Sequence, residues 1–208
     1  ALPAWHWEPL PLGKALAFDS DPLASEIVMA GSGSIDLWLR STATDTDLEV
    51  TLTELRPDGR ERYVQSGWLR ASHRALDLDE STELRPWHTH LAADAAALPP
   101  GELVPVRVEL FPFAHVFRPG SRLRITVEAP GGNRPFWTLD ALPADGTVVN
   151  EIGHSIGYAS RAVLPVIPGV DAPDVLPACP SLRGQPCRTL HENATPVEVI
   201  ATSGSGDT

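Results

Sequence analysis

The segment Gly153-His-Ser-Ile-Gly157 has the clearest chemical signature in this sequence. It matches G-x-S-x-G, a pattern in which a serine on a tight strand-to-helix turn acts as a nucleophile, so Ser155 is a candidate catalytic residue. The surroundings disagree with this interpretation, because Pro165 would stop a helix that began at Tyr158 within two turns. The partner histidine must also follow the serine, and only His191 does so. We therefore expect an ordinary loop here.

His88-Thr-His90 would place two imidazoles on one side of an extended chain, which is half of a metal site. His73, Asp77 and Asp79 precede the pair, but none of them has persuasive spacing as a third ligand. The sequence therefore favours a solvated loop over a metal centre.

A second candidate metal site consists of Asp45 and Asp47, which could bind Ca²⁺ together with a loop carbonyl. The alternatives are that these carboxylates cap a turn, or that they pair with Arg70 and Arg74 across a hairpin. These alternatives are favoured, and we expect no cofactor.

Four tryptophans could form a stacking platform for sugars, as aromatic side chains do on binding modules: Trp38, Trp68, Trp87 and Trp137. The alternative is that they fill the core or lie beneath another domain. Trp38 alternates with Leu37 and Leu39, so it should lie on the outer face of its strand. A large apolar side chain in that position suggests a covering partner. We favour a domain interface at Trp38, Trp5 and Trp7.

The only two cysteines, Cys179 and Cys187, flank the loop PSLRGQP. Their proximity predicts a disulfide and an exported protein, at the cell surface or outside the cell. Two unpaired thiols in a cytoplasmic protein remain the alternative. A zinc site would need more ligands than His191, the only one nearby.

Composition limits the class of protein. The chain has 208 residues, 42% of them hydrophobic, and 21 prolines, which favours a folded domain with few helices. Its net charge of −11 argues against a nucleic-acid partner. We find neither a run of about 20 apolar residues for a membrane span nor a signal-peptide pattern. The start, ALPAWHWEP, is typical of the middle of a longer protein.

The segment from Asp45 to Arg74 predicts a β-hairpin at the centre of the fold. Leu48, Val50 and Leu52 alternate with polar residues, the period of a strand with one face on a core and the other towards water. Arg56-Pro-Asp-Gly59 is a turn signal, because proline presets φ and glycine accepts a positive φ.

Further short segments alternate or are bounded by turn residues, and they predict most of the remaining strands: Lys14–Ser20, Ser25–Ala30, Ile35–Arg40, Val104–Leu110, Leu123–Val127, Thr147–Ile152, Arg161–Ile167 and a late edge strand Val197–Ile200. Residues 31–34 and 130–135 are expected loops, and the alanine run near 91–98 predicts one or two helical turns. Eight or nine such strands indicate an antiparallel β-sandwich, and we favour a jelly roll.

Three stretches in order resemble one known family: DTDLEVTLTELRPDGRE…GWLRASHR, Val104–Pro130 and Ala159–Gly169. The family is the C-terminal β-sandwich, galactose-binding-domain-like, of X-prolyl dipeptidyl peptidases and cocaine-esterase-like acyl hydrolases. The resemblance covers about residues 12–169. We expect a jelly roll over these residues, preceded by a linker at 1–11 and followed by a Pro/Gly/Ser-rich tail at 170–208, as the composition of the two end segments suggests.

In that family the catalytic Ser, Asp and His lie in a preceding α/β-hydrolase domain. The resemblance therefore implies a non-catalytic domain that packs on this hydrolase domain, helps to wall its substrate cleft and could oligomerise. The reaction implied for the parent protein is hydrolysis of an acyl ester or amide through an acyl-enzyme. Two alternatives remain: a module that binds carbohydrate or cell-wall polymer, and a small autonomous hydrolase that uses Ser155.

Overall fold

The computed structural model describes residues 5, 7–8, 13–131, 142, 146–173, 175–180, 185–191 and 195–196. These residues form eleven strands: β1 Ala15–Asp19, β2 Ile27–Ser41, β3 Asp47–Leu55, β4 Arg60–Arg70, β5 Val104–Phe117, β6 Arg122–Glu128, β7 Asn150–Ser155, β8 Tyr158–Ala159, β9 Arg161–Val163, β10 Cys187–Thr189 and β11 Thr195–Pro196. Two short 3-10 turns, Ala71–His73 and Ala92–Asp94, are the helical segments of this part. None of its helices is long and apolar enough to span a bilayer.

The strands form two sheets packed face to face. The six-stranded sheet has the order β10-β4-β3-β6-β1-β11, and the five-stranded sheet has the order β5-β2-β7-β8, with β9 also pairing β2. All pairs are antiparallel except β1 with β11. The chain crosses to the other sheet after β1, β2, β4, β5, β6 and β9. The predicted antiparallel β-sandwich of jelly-roll type is therefore confirmed.

The hairpin β3–β4 lies near the middle of the six-stranded sheet, with β6 on the other side of β3. Its turn has Gly59 at φ 79°, a conformation that glycine adopts without strain. Leu48, Val50 and Leu52 are buried in the core between the sheets, as their alternation predicts. On β6, Val127 is buried, and Leu123 and Ile125 pack against the same core while staying partly exposed.

The opposite face of β3 does not face water, and this part of the prediction is wrong. Glu49 is only 3% exposed, and Thr51 and Thr53 are buried as well. The hydroxyls of Thr51 and Ser66 are 2.8 Å apart across the hairpin. A polar strand face can be buried when its groups have hydrogen-bond partners, so alternation of polarity did not reveal this burial.

A buried ion network covers part of this outer face. Arg124 donates two hydrogen bonds to the carboxylate of Asp19, at 2.6 and 2.8 Å. Its Nη1 also lies 3.6 Å from Glu61 Oε2. Glu61 accepts from Arg188 Nε at 2.8 Å and from the hydroxyl of Thr53 at 3.0 Å. Because Asp19 and Glu61 each have a cationic partner, they can be dehydrated without leaving an unpaired charge.

Other boundaries also differ from the prediction. Residues 31–34 are not a loop but part of β2, which absorbs a register shift between Gly31 and Gly33. β5 continues to Phe117, and β7 begins later than the predicted strand. The tail after Gly169 contributes β10, which pairs with β4. The predicted strand at 197–200 and the loop at 132–135 lie outside the described residues.

Candidate functional site

Ser155 lies in a β-hairpin. Gly153 to Ser155 belong to β7, Ile156 and Gly157 form the tip, and Ser155 pairs directly with Tyr158 on β8. A nucleophile elbow requires a turn from a strand into a helix, with backbone N–H groups near the developing oxyanion. Here the chain turns back as a second strand, and Ser155 is exposed. The geometry therefore agrees with a coincidental match.

The histidines at 88 and 90 do lie close together. Their ring centroids are 5.6 Å apart, and the ring of His73 is 6.3 Å from that of His90. Within the described ranges, however, no three His, Cys, Asp or Glu side chains are arranged to hold a metal ion. Burial and the neighbouring His90 lower the pKa of His88 to about 4, so this imidazole is neutral at neutral pH.

Asp45 and Asp47 have protein partners. Asp47 accepts two hydrogen bonds from Arg70, at 2.8 and 2.9 Å. Asp45 Oδ1 accepts from the backbone N–H groups of Thr46 and Ser72, at 2.9 and 2.8 Å. These contacts match the capping and ion-pair alternatives rather than a Ca²⁺ site. Arg74, the other proposed partner, donates instead to backbone carbonyls, including that of Ala96.

The tryptophans have different aromatic and cationic partners. Trp38 packs edge-on against Tyr158, with centroids 5.1 Å apart. Trp68 contacts Phe111 at 5.5 Å. The guanidinium of Arg85 lies 4.2 Å from the centre of the Trp87 ring. Trp38 and Trp68 belong to different sheets, which does not favour one continuous sugar platform. Trp137 lies outside the described residues.

The three indoles of the predicted interface occupy two regions. Trp38 is on β2, facing outward from the five-stranded sheet and partly covered by Tyr158. Trp5 and Trp7 contact Tyr63 on β4 of the other sheet, at 5.1 and 6.2 Å. Arg188 of β10 stacks over Trp7 at 3.8 Å. A partner that covers all three indoles would have to reach both sheets.

Cys179 and Cys187 form a disulfide, with Cα atoms 5.6 Å apart. This distance lies in the usual range for such bonds. Cys187 is the first residue of β10 and pairs with Arg62. The bond therefore ties the segment around Cys179 to the edge of the six-stranded sheet.

The sequence analysis missed a buried polar cluster at Glu54, His115 and Ser121. His115 Nε2 lies 2.9 Å from Glu54 Oε2, and the Ser121 hydroxyl donates to Glu54 Oε1 at 2.8 Å. The carboxylate lies between the serine and the histidine, so the histidine cannot activate the serine as in a catalytic triad. The available signal was His115 in phase with the inward residues Phe113 and Phe117 on β5.

The environment fixes the charges of this cluster. Burial lowers the pKa of His115, and the bond to Glu54 opposes this only in part. Burial alone would raise the pKa of Glu54, but the hydrogen bonds and attraction from His115 and the bond from Ser121 outweigh it and lower that pKa. At neutral pH the pair therefore consists of a carboxylate and a neutral imidazole that donates its Nε2–H.

The free energy of unfolding should fall as the pH drops below 6.5, the ordinary pKa of histidine. Because the folded pKa of His115 is lower, the unfolded chain binds more protons in this interval. His88 acts in the same direction, so its contribution to stability is lost as the pH falls from 6.5 to about 4. The lowered pKa of Glu54 adds a further loss of stability below pH 4.5. Urea unfolding at about pH 7.5 and about pH 5.5 measures the effect.

The variant His115→Gln keeps a side-chain donor for Glu54 but does not titrate, so its stability should change less between the two pH values. The matched control is His154→Gln, which replaces an exposed histidine on β7 and should behave as the parent does. Equal pH dependence in the parent and in both variants would contradict the assignment of this effect to His115.

Comparisons with known proteins agree with this fold. The family model of the X-Pro dipeptidyl-peptidase C-terminal non-catalytic domain matches residues 4–134. A candidate serine esterase of Mycobacterium bovis is 34% identical over 157 residues, which cover 74% of this chain and 24% of that protein. The cocaine esterase of a Rhodococcus species is 26% identical over 160 residues, which cover 73% of this chain and 25% of that protein.

A solved CocE/NonD family hydrolase from Staphylococcus aureus superposes with a TM-score of 0.61 at 26% identity, covering 74% of this chain and 30% of that one. The chain thus spans about a quarter of the length of the curated relatives it matches. The family model covers well over half of the chain, and the β-sandwich agrees with it. This chain belongs to the family of X-Pro dipeptidyl-peptidase C-terminal non-catalytic domains, which form part of CocE/NonD hydrolases.

Proposed function

We propose that this domain packs against the α/β-hydrolase domain of a serine hydrolase and helps to wall its substrate cleft. The parent would hydrolyse an acyl ester or an X-Pro peptide. The family match over residues 4–134 carries this proposal. The hairpin geometry at Ser155 supports it, because an exposed serine between two strands lacks the turn of a hydrolase nucleophile.

The 208-residue chain alone should not hydrolyse p-nitrophenyl acetate or an X-Pro chromogenic peptide above the background rate. Ser155 does not lie on a strand-to-helix turn, so it lacks the geometry of a nucleophile. In the described cluster around Glu54, the histidine is not hydrogen-bonded to the serine, because the carboxylate lies between them. The parent protein with its hydrolase domain is the positive control. Turnover by the isolated chain, if the substitution Ser155→Ala abolished it, would contradict this prediction and establish an autonomous hydrolase.

We propose that the outer face of the five-stranded sheet around Trp38 is part of the contact with the hydrolase domain. Apolar side chains are exposed on the adjoining β7–β8 hairpin and just before β7: Val148, Val149, Ile156 and Tyr158. Exposed apolar side chains grouped in this way are typical of an interaction surface. The disulfide supports a further proposal, that the protein acts outside the cytoplasm.

In the parent protein, Trp38→Ala should lower the midpoint of thermal unfolding, because it removes a large aromatic contact from the interface. Trp87→Ala is the matched control, since Trp87 is exposed on a loop and packs on Arg85. Differential scanning calorimetry measures both variants. A glycan array supplies the opposing test: sugar binding by the isolated chain that Trp38→Ala abolishes would favour a carbohydrate module instead.

A further inference from the structure

A pocket of about 440 Å³ lies where the paired ends of β2 and β5 meet the segment that follows Gly169. It is lined by two arginines, Arg62 and Arg118, by His115, and by apolar residues, namely Val28, Met29, Ala30, Ala114, Val116 and Pro177. The volume is in the range of small-molecule sites. An apolar wall beside two guanidinium groups is suited to a ligand that has both an apolar and an anionic part.

Arg62 is the more buried of the two arginines, at 3% exposure. Its Nη2 donates to Gln185 Oε1 at 2.7 Å, but its Nε has no hydrogen-bond partner among the described residues. Glu54 is the carboxylate that attracts it most, yet both oxygens of Glu54 already accept bonds from His115 and Ser121. The Nε–H group of this buried guanidinium is therefore a hydrogen-bond donor without an acceptor in the described part of the protein.

Arg118 lies on the same pocket and is also held only by neutral groups. Its Nη1 donates to the carbonyl of Val116 at 2.7 Å, and its Nε to that of Pro173 at 3.4 Å. In the described part of the chain, neither Arg62 nor Arg118 has a carboxylate within 4 Å of its guanidinium group. Most of the other described arginines do have one: Arg40, Arg56, Arg70, Arg107, Arg124, Arg161 and Arg188 are examples.

This contrast is informative because acidic residues outnumber basic ones, with 27 Asp and Glu against 16 Lys and Arg. Burial, and repulsion from Arg56 and Arg118, lower the pKa of Arg62, while attraction from Glu54 opposes them. Arg56 is neutralised by Asp58 and His115 is neutral, so two guanidinium groups face the single carboxylate of Glu54 and the net charge is positive. An anion bound between Arg62 and Arg118 would offset that charge.

We propose that this pocket binds a small organic carboxylate whose body is apolar. A guanidinium group offers parallel N–H donors that match the two oxygens of a carboxylate. The alkyl walls from β2 and β5 would bury the body of the ligand, which inorganic phosphate lacks. The lining residues include neither Trp38 nor any residue of the β7–β8 hairpin, so the site is distinct from the proposed hydrolase interface.

Benzoate is the probe, titrated into the 208-residue chain by isothermal calorimetry and by amide NMR. Benzamide is the control ligand of the same shape without the negative charge, and inorganic phosphate is the control anion without an apolar group. We expect benzoate to bind, with shifts at Ala30, Ala114 and Arg118, and both controls to bind at least about tenfold more weakly. Equal binding of benzamide would refute recognition of the charge, and equal binding of phosphate would refute recognition of the apolar body.

Two variants locate the site. Arg118→Gln removes a half-exposed cation and should weaken benzoate binding at least about tenfold. Ala114→Glu places a carboxylate at an exposed position of the wall and should block binding. The control is Arg60→Gln, an exposed arginine on β4 outside the pocket, which should leave the affinity unchanged. No benzoate binding by the parent chain, or the same affinity in Arg118→Gln and Arg60→Gln, would overturn the proposal.

Discussion

Replacement of Gly67 by alanine should destabilise the domain by about 3 kcal/mol or more, or prevent folding altogether. A Cβ atom at this position would lie 1.6 Å from the carbonyl oxygen of Glu109 and 2.7 Å from its carbonyl carbon. Gly67 is on β4 and Glu109 is on β5, so the clash falls between the two sheets. Both atoms of Glu109 belong to the backbone, which cannot move aside as a flexible side chain can.

Urea unfolding followed by circular dichroism measures the loss, and Gly157→Ala is the matched control. Gly157 is at the tip of the β7–β8 hairpin, and an added Cβ there would meet no atom within 4 Å. The control should change stability by less than about 0.5 kcal/mol. If Gly67→Ala folded with the stability of the control, the close approach of β4 to β5 would be wrong.

The second large effect is expected from Leu52→Ala, at about 2–5 kcal/mol. Leu52 is fully buried in the core cluster, on the central strand β3 between β4 and β6. Its truncation removes apolar contacts and leaves a cavity that the surrounding strands, held on both sides, can fill only in part. Denaturant unfolding of the parent and the variant gives the difference in free energy.

Leu78→Ala makes the same chemical change at a leucine that is 80% exposed, and it should cost less than about 0.5 kcal/mol. Glu49→Ala tests the opposite face of β3. Because Glu49 is buried, its loss should cost more than the exposed leucine does. Similar small effects for Leu52→Ala and Leu78→Ala would show that β3 is not at the centre of the core.

The sequence was sufficient to predict the sandwich and its central hairpin, because the alternation at Leu48, Val50 and Leu52 reports burial against a core. It did not predict that Glu49 is buried as well. The pairing of Asp19 with Arg124, which are 105 residues apart, is what makes a polar outer face compatible with burial. Such pairing depends on which strands become neighbours, and local alternation does not contain that information.

The candidate sites were less predictable than the fold. The sequence marks Gly153–Gly157 by pattern but argues against an elbow through Pro165, and the pairing of β7 with β8 shows the hairpin that takes its place. Conversely, no sequence motif marks Arg62 and Arg118 as pocket residues. The pocket also depends on Pro177, which comes from the distant tail segment. The strand at Gly31–Ser34 was missed because glycine and serine are typical of loops, whereas here they accommodate a register shift inside β2.

The short strands β10 and β11 have a consequence for self-association. β10 pairs with β4 at one end of the six-stranded sheet, and β11 pairs with β1 at the other. Unpaired edge strands are templates for intermolecular pairing and aggregation. The segment after Gly169 therefore covers part of each edge, at Arg60–Arg62 of β4 and at Phe18–Asp19 of β1, and the disulfide from Cys187 secures the first of these contacts. Proteolytic loss of this segment would leave the backbone groups of these residues of β4 and β1 free to pair with a strand of another molecule.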